Sequence, residues 1–152
     1  MSKQIRLDRV DRELLYHLSQ DGRLSNVELA RRVGLTPPPC LRRVKRLEDA
    51  GVITGYHAAI DPAAVGRALE VFVDVDINAN DLKTVQEFET TTASYDEVVE
   101  FRRMFGHPDY LLRVAVADHA AYEAFLTSKL IGLPGVLHVT SHLTMKKIKA
   151  AD

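Results

Sequence analysis

The chain has 152 residues, 46% hydrophobic and 27% charged, with 20 Lys+Arg against 21 Asp+Glu and a formal net charge of −1. That composition supports a buried core and excludes a disordered or collagen-like chain, and a single cysteine, Cys40, excludes an internal disulfide. No apolar run reaches the roughly 18 to 20 residues that cross a bilayer, and the Met-Ser-Lys-Gln-Ile-Arg start contains no apolar signal segment, so the expectation is a cytoplasmic protein.

The near-zero charge conceals a division. Residues 1–57 hold 11 Lys+Arg and 7 Asp+Glu, net +4, and residues 58–152 hold 9 and 14, net −5. A basic first third joined to an acidic remainder points to an anion-binding module, most simply for nucleic acid, attached to a domain with another task.

In Leu7-Asp8-Arg9-Val10-Asp11-Arg12-Glu13-Leu14-Leu15, Asp8 is an N-cap and Val10, Leu14 and Leu18 recur on one helical face, with Gly22 as the stop. Ser25-Asn26-Val27-Glu28 reads as a capping box opening a short helix, with Leu29, Ala30 and Val33 as its apolar face and Gly34 as its left-handed cap. Thr36 is placed to cap a third helix in which Pro37, Pro38 and Pro39 are tolerated, because the first turn has no internal acceptors. That helix runs to Gly51, with Leu41, Val44 and Leu47 expected inward and Arg42, Arg43, Lys45 and Arg46 on the remaining surface.

Two short helices separated by a Gly-containing turn, the second basic, form the helix-turn-helix pattern whose second helix enters the major groove. A solvated basic helix in an ordinary three-helix bundle is the alternative. Pro38, Pro39 and Cys40 are poor base-edge partners, so phosphate contacts and DNA shape carry much of the expected affinity, with Arg42 and Arg43 as the direct readers.

Residues 51–62 alternate in polarity and read as a short connecting strand ending at the Asp61-Pro62 turn. From Leu69 the period is two: Leu69, Val71, Val73, Val75 and Ile77 share a face. A helix marked by Leu82, Val85, Phe88 and Thr92 follows, then strands over 98–105 and 110–117. A second helix carries Tyr122, Phe125, Leu126 and Leu130, and a last strand covers 136–148 after Leu133-Pro134-Gly135. The order βαββαβ predicts an α+β chain: a three-helix or winged helix-turn-helix domain (1–55), a linker strand (56–67) and a ferredoxin-like domain (68–152). Phe72, Phe101 or its neighbours, and several of the series Leu137, Val139, Ser141, Leu143 and Met145 are expected to make the second sheet face apolar, which points to subunit association.

Together these residues resemble the Lrp/AsnC (feast/famine) transcription regulators along nearly the whole chain. The N-terminal match comprises Leu7-Asp8-x-x-Asp11-Arg12-x-Leu14-Leu15, Asp21-Gly22-Arg23, Glu28-Leu29-Ala30, Val33-Gly34-Leu35, Arg43-Val44-Lys45-Arg46-Leu47-Glu48 and Gly51-Val52-Ile53-x-Gly55-Tyr56, then Asp61-Pro62 and Gly66. In the second half, Phe105-Gly106-His107-Pro108-Asp109-Tyr110 resembles the family's Gly-x-x-Asp-Tyr turn, and Leu133-Pro134-Gly135-Val136 also matches.

The resemblance implies a regulator of double-stranded DNA whose sensing domains pair through their sheets, commonly as four dimers in a ring, with an amino acid as effector and no other cofactor. Its DNA-facing set would be Ser25, Thr36, Pro38, Cys40, Arg42, Arg43, Lys45 and Arg46. Its effector set would be Met104, Phe105, Gly106, His107, Pro108, Asp109 and Tyr110, with Ser141 and Leu143 from an opposing subunit. Physically, Gly106 permits positive φ and close approach, and Asp109 can hold an ammonium group; a plain hairpin turn, with Asp109 bonded to its own backbone, is the alternative.

Neither a metal centre nor an enzyme is expected. His138 and His142 share a strand face but lie about 13 Å apart, too far for one ion, and no Cys pair, phosphate loop or nucleophile elbow occurs. Cys40 among cations leaves redox sensing by its thiol as a further reading. Two other functions share the same pattern: an amino-acid-binding regulatory module of a metabolic enzyme, and an effector-independent architectural DNA-binding protein.

Overall fold

The computed structural model describes residues 5–78 and 81–149. It divides into two compact units, with the boundary between Ala59 and Ile60.

The first unit is a three-helix arrangement: α1 (Arg9–Gln20), α2 (Asn26–Arg32) and α3 (Pro37–Asp49). Its core is Leu14, Leu29, Ala30, Val33 and Cys40, with Val10, Leu18, Leu24, Leu35 and Val44 packed against it. A capping box opens α1, but its partners are Asp8 and Asp11, each carboxylate accepting the other's backbone N–H. At α2 only half of the expected box forms. Ser25 Oγ accepts from Glu28 N at 3.2 Å, while the Glu28 carboxylate pairs with Arg32 one turn on at 2.8 Å. Gly34, at φ +69°, ends α2, its N–H donating to Arg31 O and the Leu35 N–H to Ala30 O, a paired closure that turns the chain into α3.

Two expectations about α3 are corrected. Thr36 makes no side-chain cap; the α2–α3 corner is tied by Asn26 Nδ2 donating to Pro37 O at 2.8 Å instead. The inner stripe is Cys40, Val44 and Leu47 at helical spacing, and Leu41, one residue round from Cys40, is turned out at 58% exposure. The strand expected over 51–62 does not form. Val52 and Ile53 donate back to Leu47 O, and residues 54–60 are exposed with no neighbouring strand among the described residues to complete a ladder.

The second unit contains β1 (Leu69–Ile77), α4 (Leu82–Ala93), β2 (Val98–Arg103), β3 (Tyr110–Val116), α5 (His119–Phe125, continuing as a wider turn to Leu130) and β4 (Val136–Leu143). The sheet order is β2-β3-β1-β4, all neighbours antiparallel. This is the expected ferredoxin-like arrangement. Val71, Val73, Val75, Leu112 and Val114 from the sheet meet Val85, Phe88, Phe125 and Leu130 from the helices in one core. Phe88 packs against Phe101 and Tyr110 at ring-centroid distances of 5.9 and 5.0 Å. Of the positions marked on the second unit's helices, Leu82 is the largely exposed one; it occupies the first position after the Asp81 cap.

The far side of the sheet differs from the apolar face expected. Phe101 is in register with Leu112, Val139 with Val75, Ser141 with Val73 and Leu143 with Val71, all residues of the helix-side layer. Residues paired across a ladder share a face, so these side chains lie with the helix-side layer. The open face therefore carries Phe72 and Leu111 within a polar lattice: Arg113 pairs with Glu70 and with Glu100 at 3.2 Å each, Arg102 with Glu100, and His142 with Asp74 at 2.9 Å. β4 ends at Leu143 rather than 148, where its pairing with β1 runs out, and Met145 and Ile148 are exposed beyond it.

Candidate functional site

The three prolines opening α3 remove the first three helical N–H donors, and Cys40 N donates to Thr36 O. Anion binding at this helix start thus falls to side chains. Arg42, Arg43 and Arg46 with Pro39 line an open cleft of about 360 Å³.

These cations are not equivalent. Asp11, fully buried, receives Arg43 on Oδ1 at 2.8 Å and Arg46 on Oδ2 at 2.6 Å, and Arg43 also reaches Asp8 at 2.6 Å. The Asp11 N–H and the Arg43 guanidinium hold the Asp8 carboxyl below its ordinary range. Two α3 arginines are thereby bound to α1, whereas Arg42 and Lys45 are exposed and make no ion pair among the described residues. A guanidinium has five N–H donors, so Arg43 and Arg46 keep donors for a second partner, at a fixed position and with much of their charge compensated. The reading of Arg43 as a direct base contact is revised accordingly, and Arg42 is the freer guanidinium.

Cys40 leaves the DNA-facing set. It is buried in the unit core, and burial raises its thiol pKa, the reverse of what an oxidant-sensing thiolate requires. Ser25, Thr36, Pro38, Arg42 and Lys45 are exposed. The Asp8–Asp11 clamp was missed, although its signal lay in the sequence: carboxylates three residues apart on one helix and arginines three apart on another.

In the second unit, the β2–β3 turn is fastened to β1 in both directions. Asp109 Oδ2 accepts from Ile77 N at 2.9 Å, and Asp76 Oδ1 accepts from Asp109 N at 3.3 Å and lies 2.9 Å from His107 Nδ1. Met104 N donates to Asp109 O at 2.8 Å, closing the turn. Gly106 has φ +114°, a backbone state open to glycine, with open space where a Cβ would project. A cavity of about 240 Å³ is lined by Ile77, Arg103, Met104, Phe105, Gly106, Asp109 and Tyr110. Phe105 projects fully into solvent.

Asp109 does not simply bond its own turn. One oxygen serves β1, and Oδ1 accepts no hydrogen bond among the described residues. Tyr110 is a core residue as much as a cavity wall; its hydroxyl donates to Glu89 at 2.8 Å, and burial followed by that bond pushes its pKa up to about 12. Arg103, which pairs with the same Glu89 at 3.4 Å, and Asp76 were not anticipated in the sequence. Ser141 is not gathered to this turn within the chain. It faces the helix layer, 2.5 Å from the Tyr122 hydroxyl, with β1 between its strand and the β2–β3 hairpin; Leu143, at the end of the same edge strand, is exposed. Among the described residues, no group of His, Cys, Asp or Glu is arranged to hold a metal, and no helix is long and apolar enough to cross a membrane.

Residues 7–54 match the family model for winged helix-turn-helix DNA-binding, and residues 70–152 match that for the Lrp/AsnC ligand binding domain. The leucine-responsive regulatory protein of Escherichia coli K12 is 41% identical over 146 residues, covering 96% of this chain and 89% of that protein. A transcriptional regulator of Neisseria meningitidis, solved as its L-Met complex, superposes with a TM-score of 0.90 at 36% identity, covering 95% of this chain and 94% of that one. An AsnC family transcriptional regulator of Agrobacterium tumefaciens gives 0.87 at 39% identity, with coverage of 95% and 94%.

Proposed function

The chain belongs to the Lrp/AsnC family of DNA-binding transcription regulators, a family of regulators rather than enzymes, and from that premise we propose how its residues divide the work. α3 is the recognition helix and enters the major groove with Pro38, Leu41, Arg42 and Lys45 outward. Arg42 and Lys45 make the mobile contacts, and Arg43 and Arg46 present fixed donors to backbone phosphates, steadied by Asp8 and Asp11. Ser25 and Thr36 flank this surface at the starts of α2 and α3.

The effector is an amino acid bound at the β2–β3 turn. Asp109 Oδ1 would receive its ammonium group, the backbone around Gly106 its carboxylate, and Met104 and Phe105 would cover its side chain, with Leu143 contributed by another subunit. The L-Met complex of the Neisseria regulator supports this choice of ligand class. The His107-Pro108 pair, held by Asp76, keeps the loop open around the cavity. Subunits associate as dimers that assemble further, an octamer being the family's common form, and act in the cytoplasm on genomic DNA.

The observation that carries the reading is the half-free Asp109 carboxylate beside a glycine-lined cavity in a chain that also holds a helix-turn-helix. Calorimetry with each of the twenty amino acids on the full chain tests it. At least one should give heat that Asp109→Ala abolishes, and the same amino acid should alter genomic footprints. No heat from any of them would favour the effector-independent architectural protein.

A further inference from the structure

Leu41 is the one large apolar residue of α3 that the fold does not use. Cys40, Val44 and Leu47 fill the inner stripe, and Leu41 packs into neither core cluster and is 58% exposed. Its companions on the outer surface are Pro38, Arg42 and Lys45, at spacings of three, one and four residues. Tyr16 and Val27 are similarly exposed but belong to α1 and α2. An apolar side chain at the fifth position of a helix otherwise lined with cations has no role in phosphate binding.

The apolar landmark of the major groove is the C5-methyl group of thymine; the other groups that distinguish base pairs there are hydrogen-bond donors and acceptors. We propose that Leu41 is a specificity-determining residue that reads a thymine methyl group, and this rests on the reading of α3 as the recognition helix. It also resolves the chemical poverty of the helix start. With three prolines and a buried thiol there, direct readout passes to Leu41 for thymine and to Arg42 for guanine, the pairing a free guanidinium makes best.

The test uses the full chain and a duplex it selects for itself from a random-sequence library, resynthesised with each thymine replaced singly by deoxyuridine, which lacks only the methyl group. Binding by the parent should weaken about fourfold at one or two positions, the value of one buried methyl group. Leu41→Ala, an exposed substitution, should bind the unmodified duplex correspondingly less tightly and should no longer distinguish thymine from uracil there. A selected duplex whose binding ignores every such replacement overturns the assignment, as does a Leu41→Ala protein that keeps the parent's sensitivity. A library from which no sequence is enriched overturns the recognition-helix reading and Leu41 with it.

Discussion

Asp11 shows how a single buried carboxylate can determine what a basic helix does. Its two oxygens are satisfied by two guanidiniums, each still partly exposed, so removing it leaves Arg43 and Arg46 without their fixed partner. Asp11→Ala should destabilise the first unit by about 2 kcal/mol, the cost of breaking a buried ion pair reduced for solvent around the arginines. Thermal unfolding followed by circular dichroism measures this, and a loss below about 0.5 kcal/mol would show the clamp to be incidental. The same geometry separates the arginines functionally. Arg42→Ala should weaken binding to the preferred duplex by about 1–3 kcal/mol, relax its base preference and leave stability unchanged, whereas Arg43→Ala should act first on stability, by exposing the need of Asp8 and Asp11 for a cation. Binding isotherms, set beside melting curves, distinguish the two; identical profiles would contradict the division.

At the level of elements, most of the architecture was legible. The period-two run from Leu69 to Ile77, the Asp8 and Ser25 caps, the Gly34 turn and the βαββαβ order all follow from local patterning and appear as expected. The failures have a common cause. Residues 51–62 alternate like a strand but have no partner among the described residues, Phe101 and the β4 residues take the helix-side face through their cross-strand register with Leu112, Val75, Val73 and Val71, and Leu41 and Cys40 are separated by one helical step that decides which is buried. Each depends on contacts distant in sequence. The α1 cap gives a prediction at this scale. The Asp8 pKa is lowered in the folded chain, so its contribution is complete above the ordinary aspartate value of 3.8 and lost as pH falls through the depressed one. Helix content of the first unit should therefore hold steady down to that value and fall below it, and Asp8→Asn should remove that part of the acid transition. An unchanged acid limb in Asp8→Asn would place the transition elsewhere.

At the level of the molecule, the net charge of −1 is the sum of a basic DNA-binding segment and an acidic sensing segment. At that net charge one copy should be attracted only weakly to DNA, and an assembly joining several basic units would gain effective concentration at a shared site. DNA affinity should accordingly rise with the oligomeric state seen in sedimentation, across the protein concentrations where subunits associate. Affinity that stays constant while the chain passes from its 17.0 kDa monomer to an oligomer would contradict this. On the open sheet face, the Glu70–Arg113–Glu100 lattice and the Asp74–His142 pair would suit a partner with matched charges better than a purely apolar seal.

The sequence by itself determined the two-part organisation, the element order, the helix-turn-helix pattern and the Gly106–Asp109 turn, because these depend on spacing, capping and backbone permissiveness that neighbouring residues carry. Tertiary structure alone decided which cations of α3 are free, that Asp109 offers one oxygen and anchors β1 with the other, that Cys40 is inside and Leu41 outside, and which residues face away from the helices. Those outcomes rest on partners more than thirty residues away, such as Asp11 for Arg43 and Ile77 for Asp109, or on the register between strands distant in sequence, and no local pattern specifies either.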